Sequence, residues 1–254
     1  MASARTCLVA AYTLALAYCG TAIADQPPTR GGSGWSVGIG AVGSTGPYPD
    51  SSTDITPIPF LGYDNGTFYW RGLAAGLRTE LADGVEGRGY LRGRMQRRRA
   101  SDSDVLEGTK DRSRTLEAGV GISAGPRWLR GSLDVSGDLL SQHSGQEVRA
   151  SVTVPWLIGD WVVLSSVGAN WQSAEFANYY YGVRTNEIGP DRPAYEPGSS
   201  LNPSMAISLI QRSEGRTGWF IRIEHEWLDS NIQDSPIIDS GHRWSGIAAF
   251  TYRL

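Results

Sequence analysis

The sequence predicts an all-β protein: a closed, antiparallel, up-and-down transmembrane β-barrel. Three observations predict it. Apolar and polar residues alternate over unusually long stretches. Tryptophans recur at both ends of single strand faces. And 32 Gly, 11 Tyr and 9 Trp occur in 254 residues with almost no helical periodicity.

The alternation is clearest over 128–139. Leu129, Gly131, Leu133, Val135, Gly137 and Leu139 form one face, opposed by Arg130, Ser132, Asp134, Ser136 and Asp138. Val148, Ala150, Val152 and Val154 oppose Glu147, Arg149, Ser151 and Thr153 in the same way. A globular strand runs for about 5–6 residues, so alternation over nine or more asks for a longer span. A soluble sandwich would bury the apolar face in a shared core. A transmembrane barrel turns it to lipid, lines the lumen with polar groups and rims the lipid face with aromatics.

Tryptophan spacing favours the barrel. Trp161, Val163, Ser165, Val167, Ala169 and Trp171 share a face with tryptophan at each end. Ten residues at about 3.3 Å each, tilted by about 40°, cover about 25 Å of bilayer, the height of the apolar band. Trp219 with Trp227, and Trp244 with Tyr252, repeat the arrangement. These six residues are the expected lipid-interface aromatics.

Candidate strands are 34–43, 54–63, 67–77, 88–98, 114–124, 128–139, 146–155, 161–171, 203–212, 218–228 and 243–254. Tight turns are expected at Asn65-Gly66, Gly125-Pro126, Ile158-Gly159-Asp160 and Glu214-Gly215, and longer connections at 44–53, 78–87, 172–202 and 229–242. Outer-membrane barrels keep short turns in the periplasm and long loops outside. That rule is met only if one more strand lies within 78–113, which gives twelve strands; ten is the alternative. The last strand alternates through Trp244, Gly246, Ala248, Phe250 and Tyr252 to Leu254, as a barrel-insertion signal does.

The N-terminus reads as a secretory signal over 1–24: Arg5, an uncharged apolar stretch from Leu8 to Tyr18, and Ala22-Ile23-Ala24 before Asp25. Residues 25–33 are expected to be a short periplasmic segment, and 34–254 the barrel. Both cysteines, Cys7 and Cys19, leave with the signal, so the mature chain can form no disulfide or thiolate metal site. Losing Arg5 takes the formal charge from −3 to −4, which implies no nucleic-acid partner.

Candidate functional residues are lumenal charges. Arg92, Arg94, Arg130, Arg149 and Arg222 point inward, as does Arg98, and Asp134, Glu147, Glu224 and Glu226 face them, with Glu117 and Asp138. Either they neutralise one another across a largely closed lumen, or they line a selective small-solute pore. Motif matches argue against catalysis and cofactors. Gly38-Ile39-Gly40-Ala41-Val42-Gly43 fits a dinucleotide fingerprint, but the following Ser44-Thr45-Gly46-Pro47 cannot begin the required helix. Ser123 in Gly121-Ile122-Ser123-Ala124-Gly125 lacks the helix a nucleophile elbow needs. His143, His225 and His242 form no readable triad or metal site.

Several motifs resemble those of the MipA/OmpV family, also described as MltA-interacting proteins. They are Pro47-Tyr48-Pro49-Asp50-Ser51-Ser52, Pro57-Ile58-Pro59, Phe68-Tyr69-Trp70, Asn178-Tyr179-Tyr180-Tyr181-Gly182-Val183, Tyr195-Glu196-Pro197-Gly198, Asp234-Ser235-Pro236-Ile237-Ile238 and Tyr252-Arg253-Leu254. Ser51 and Leu254 depart from the family's glycine and phenylalanine. The resemblance implies an outer-membrane protein without catalytic residues or cofactors. It further implies a scaffold between a lytic transglycosylase and a bifunctional penicillin-binding protein in peptidoglycan synthesis, in contact with outer-membrane lipid. A narrow solute channel, or an adhesin using the tyrosine-rich loop 172–202, are the alternatives.

Overall fold

The computed structural model describes residues 34–254 apart from Ser52, Ser213 and Glu214. The expected signal peptide, the 25–33 segment and the first residue of the Glu214-Gly215 turn lie outside the described residues. Twelve antiparallel strands close into a barrel in sequence order, with the first paired to the last. They are β1 (Gly34–Ser44), β2 (Asp54–Asp64), β3 (Phe68–Arg71), β4 (Ala74–Ala82), β5 (Val85–Arg94), β6 (Thr115–Ala124), β7 (Arg130–Asp138), β8 (Gln146–Ile158), β9 (Trp161–Gln172), β10 (Ser200–Gln211), β11 (Thr217–Trp227) and β12 (His242–Arg253).

The twelfth strand was expected within 78–113. It arises instead from a break inside the expected 67–77 strand, at Gly72-Leu73, and β4 runs on to Ala82. The 78–87 connection shrinks to Asp83-Gly84, with Gly84 in the left-handed region at φ 69°. The break was hard to see because Gly72 interrupts an apolar run without a hairpin pair beside it; here its φ of 54° turns the chain.

All the short turns but one gather at one end of the barrel; the exception is Gly72-Leu73, which turns the chain back the other way after the four residues of β3. In the Asn65-Gly66 turn, Asn65 Oδ1 accepts from the amides of Thr67 (3.1 Å) and Phe68 (2.7 Å), and Gly66 takes φ 91°. Asp83-Gly84, 125–129, Gly159-Asp160 and the ends of β10 and β11 at Gln211 and Thr217 lie at the same end, with Gly34 and Arg253. The opposite end carries the long connections 45–53, 95–114, 139–145, 173–199 and 228–241.

Alternation sorts the faces as the sequence pattern requires. Leu133, Val135, Val120 and Val152 face outward and are exposed, while Asp134, Ser136, Glu117 and Thr153 are buried in the lumen. Among the described residues no shared core collects the outward set. Trp219, Trp227, Trp244 and Tyr252 are exposed on the outer wall; Trp161 and Trp171 are half-buried on the same side of β9.

The lumen is not uniformly polar. Val42, Ile58, Val162, Leu164, Ile210, Phe220 and Ile247 pack into an apolar cluster inside the barrel, with Val162, Ile210 and Phe220 near the turn end and Ile58 and Ile247 at mid-height. Trp161-Val162-Val163-Leu164 and Leu209-Ile210, apolar on both faces, were the available signal.

Closure depends on small residues at the β1–β12 seam. A Cβ at Gly38 would stand 2.0 Å from the Phe250 carbonyl oxygen, and one at Gly40 2.8 Å from that of Ala248. The glycines that mimic a dinucleotide motif thus let two backbones approach closely. Gly38→Val is expected to abolish the compact, heat-modifiable form on unheated gels, because the seam strands cannot pair at this register; an unchanged gel shift contradicts this role.

Candidate functional site: charged lumen and loop lid

Lumenal charges meet across strands. Arg92 donates to Glu117 (2.7 Å) and Glu147 (2.6 Å), and Arg94 donates to the same two carboxylates (2.5 and 2.7 Å). This square of two arginines and two glutamates is almost wholly buried. Arg149 lies 3.4 Å from Glu147 and 3.9 Å from Glu224, and Arg222 donates to Glu224 at 2.9 Å, so the chain of charges crosses from β5 to β11. Glu226 accepts from Asn170 (2.7 Å) and Arg243 (2.6 Å). In a low-dielectric interior, buried ions persist only when paired and hydrogen-bonded.

Nearer the turn end, Arg88 grips Asp134 with two bonds (2.9 and 2.5 Å), and Asp64 bridges Arg71 and Arg78. Arg130 departs from the expectation that every arginine faces a carboxylate: it donates to Ser123 Oγ (2.9 Å) and to the Gly84 carbonyl (3.2 Å). Asp138 also differs. It accepts from Thr115 Oγ1 and from the amides of His143 (2.6 Å) and Ser144 (3.0 Å), and so anchors a loop. Sequence reading missed Arg71, Arg78, Arg88, Arg243 and Asp64. Arg78 and Arg88 share the inward parity of Arg92, which was the usable signal.

Arg98 is not in the lumen wall. β5 ends at Arg94, and Arg98 enters a lid built from the long connections, where it donates to the carbonyls of Tyr180 (3.0 Å) and Gly182 (3.1 Å). The 173–199 connection folds into the helix α1 (Ala174–Tyr181), begun by Ser173, whose Oγ accepts from the Phe176 amide at 3.4 Å. Phe176, Ala177, Tyr180 and Tyr181 are completely buried, packed with Leu228 and Ile232. Tyr48, Leu106, Val183 and Ile237 form a second cluster. Four loops therefore meet in these two adjoining clusters, both of which Ile238 packs against, and the tyrosine-rich segment lies inside the first. Arg94 joins lid to lumen, its guanidinium 4.7 Å from the Phe176 ring centroid.

The lid has its own buried ion pair. Arg112 donates twice to Glu187 (2.9 and 2.8 Å), whose Oε1 also accepts from the Lys110 amide at 2.9 Å. Burial opposes the Glu187 charge, but the Lys110 and Arg184 amides and Arg112 outweigh it and hold the carboxyl below its usual range. A depressed folded-state pKa stabilises above the unfolded value and is lost as pH falls through the acid range. Limited proteolysis within 173–199 is expected to be slow at pH 7 and faster at pH 3; equal rates contradict this.

The residues weighed for catalysis are kept apart. Ser123 Oγ is engaged by Arg130 near the turn end. His143 lies under the lid, 4.9 Å from Phe176 between ring centroids and 3.7 Å from Glu117 through Nε2. His225 and His242 stand 5.5 Å apart by the outward-facing Trp227 and Trp244.

A closed antiparallel barrel with an apolar outer wall, a charged lumen, short turns at one end and long loops at the other is an outer-membrane β-barrel protein. The family model for MltA-interacting protein MipA matches residues 37–254, and the chain belongs to that family. It is 25% identical over 225 residues to the "MltA-interacting protein" of Escherichia coli (strain K12), covering 87% of this chain and 90% of that one. It is 24% identical over 256 residues to "Outer membrane protein OmpV" of Vibrio cholerae serotype O1, covering 97% and 99%. Among solved structures, the NanC porin superposes with a TM-score of 0.41 at 9% identity, covering 87% of this chain and 100% of that chain. In this class short turns face the periplasm, which puts the lid outside the cell.

Proposed function

We propose that this chain is a structural barrel that holds a lytic transglycosylase, and through it a bifunctional penicillin-binding protein, at the outer membrane by its periplasmic turns, without catalysis of its own. The observation that carries this reading is the filled barrel: its buried carboxylates are all paired with arginines, an apolar cluster fills part of the lumen, and a packed lid covers the loop end. Such an interior favours rigidity over transport. The name of the Escherichia coli relative supports the partner class. At the turn end Trp128 is 66% exposed beside Arg127, the pair of residue types that most often anchors interfaces.

The narrow channel remains the second reading, favoured by the cavity described below. Adhesion through the tyrosine segment has less support, since Tyr180 and Tyr181 have no surface to offer.

Immobilised, refolded barrel incubated with periplasmic extract tests the proposal. A lytic transglycosylase should be retained, and Trp128→Ala should weaken its retention. Failure to retain one at any load overturns the reading.

A further inference from the structure

The barrel wall is incomplete between β2 and β5. β2 pairs with β3 only through Gly62, Tyr63 and Asp64, and the next backbone bond, Gly72 N–H to the Leu61 carbonyl (2.9 Å), is the last on that edge. β3 is four residues long and β4 begins at Ala74. Above them, 54–60 of β2 has no ladder partner on this side, among the described residues. The same stretch pairs fully with β1 on its other side.

This edge is made unable to recruit another strand. Leu61 directs its carbonyl toward the gap, so by strand parity Pro57 and Pro59 direct their backbone nitrogens there too, and neither carries an N–H. Proline on an exposed edge blocks strand addition. Ile55, Pro57, Pro59 and Leu61 all face outward, so the seam lies along lipid-facing wall. Among the described residues only side chains cross it: Arg97 donates twice to Asp54 (2.7 Å each) and Arg114 donates to Thr56 Oγ1 (2.8 Å).

Behind the seam is a cavity of about 50 Å³, bounded by Asp54 and Thr56 on one rim, by Gly93, Met95 and Arg114 on the other, and by Arg149 within. Its carboxylates are already taken. Asp54 is held by Arg97, Glu226 by Asn170 and Arg243, and Glu224 by Arg222. What is left over is donor capacity. Arg149 is more than nine-tenths buried, yet its Nε and Nη1 have no hydrogen-bond acceptor, and Arg114 Nε has none either. Buried donors without acceptors are costly, and guanidinium groups match the oxygens of phosphate and carboxylate.

We propose that this cavity binds a phosphate or carboxylate group, held by Arg149 and Arg114. The group reaches it either on an anionic lipid through the β2–β5 seam or as a free anion. The cavity takes one such group and little more.

Two titrations of the refolded mature chain in zwitterionic detergent test this: inorganic phosphate by calorimetry, and phosphatidylglycerol by native mass spectrometry. At least one should bind saturably at one per barrel, with Arg149→Gln weakening it about tenfold. Lipid binding alone identifies the membrane as the source; phosphate binding alone identifies a free anion. Heat-modifiability reports folding of each variant. If Arg149→Gln does not fold, Arg114→Gln, at the half-exposed rim, carries the comparison. Absence of saturable binding by both ligands overturns the proposal, as does binding that folded arginine variants leave unchanged.

Discussion

Replacing Arg94 by alanine is expected to destabilise the folded barrel by about 3–5 kcal/mol, the usual cost of breaking a buried ion pair from one side. Arg94 reaches both Glu117 and Glu147, and only Arg92 and the more distant Arg149 would remain to hold two buried carboxylates. The loss comes from the stranded glutamates more than from the absent attraction. Arg94→Ala combined with Glu147→Gln should therefore recover much of the stability, since two carboxylates then no longer share one arginine. Urea unfolding in detergent micelles, followed by tryptophan fluorescence, measures both variants. A loss below about 1 kcal/mol would place Arg94 in the range of exposed pairs and contradict the burial argument.

Phe176→Ala should cost about 3–5 kcal/mol of lid stability. Phe176 is completely buried, packs against His143 and Tyr180 at centroid distances of 4.9 and 5.1 Å, and lies over Arg94. A Cβ at Gly145 would come within 2.7 Å of the Phe176 Cβ, so the helix sits directly against the β7–β8 connection. Because the lid is built from loops, its loss need not unfold the strands. Protease cleavage within 173–199 should accelerate by 100-fold or more, on the order of what that free energy implies, while heat-modifiability persists. Simultaneous loss of both would mean that lid and barrel form one cooperative unit.

How much of this was legible in the sequence depends on the interaction behind each feature. The faces of β7, β8 and β11 could be read residue by residue, because side-chain alternation is a backbone property and lipid enforces it on one side. Partner choice could not. Arg94 and Glu147 are 53 positions apart, and only the barrel's register across three intervening strand pairs brings them together. β3 was merged with β4 in one expected strand because four residues carry too short an alternation to stand alone. Helix α1 was concealed in a long loop, although Ser173 followed by Ala174-Glu175-Phe176-Ala177 carries a capping residue before good helix formers. The placement of Arg98 failed for a related reason: its even spacing from Arg92 and Arg94 has meaning only while the chain stays extended in the wall, and β5 stops first.

The account rests on charges that neutralise each other inside a filled barrel. Single-channel recording on refolded residues 25–254 in planar lipid bilayers tests that most directly. Insertion without discrete current steps is the predicted result, at either polarity and in high salt. Reproducible unitary currents whose ion selectivity changes with Arg94→Ala would contradict it, and would make the lumen a conduit instead of a strut.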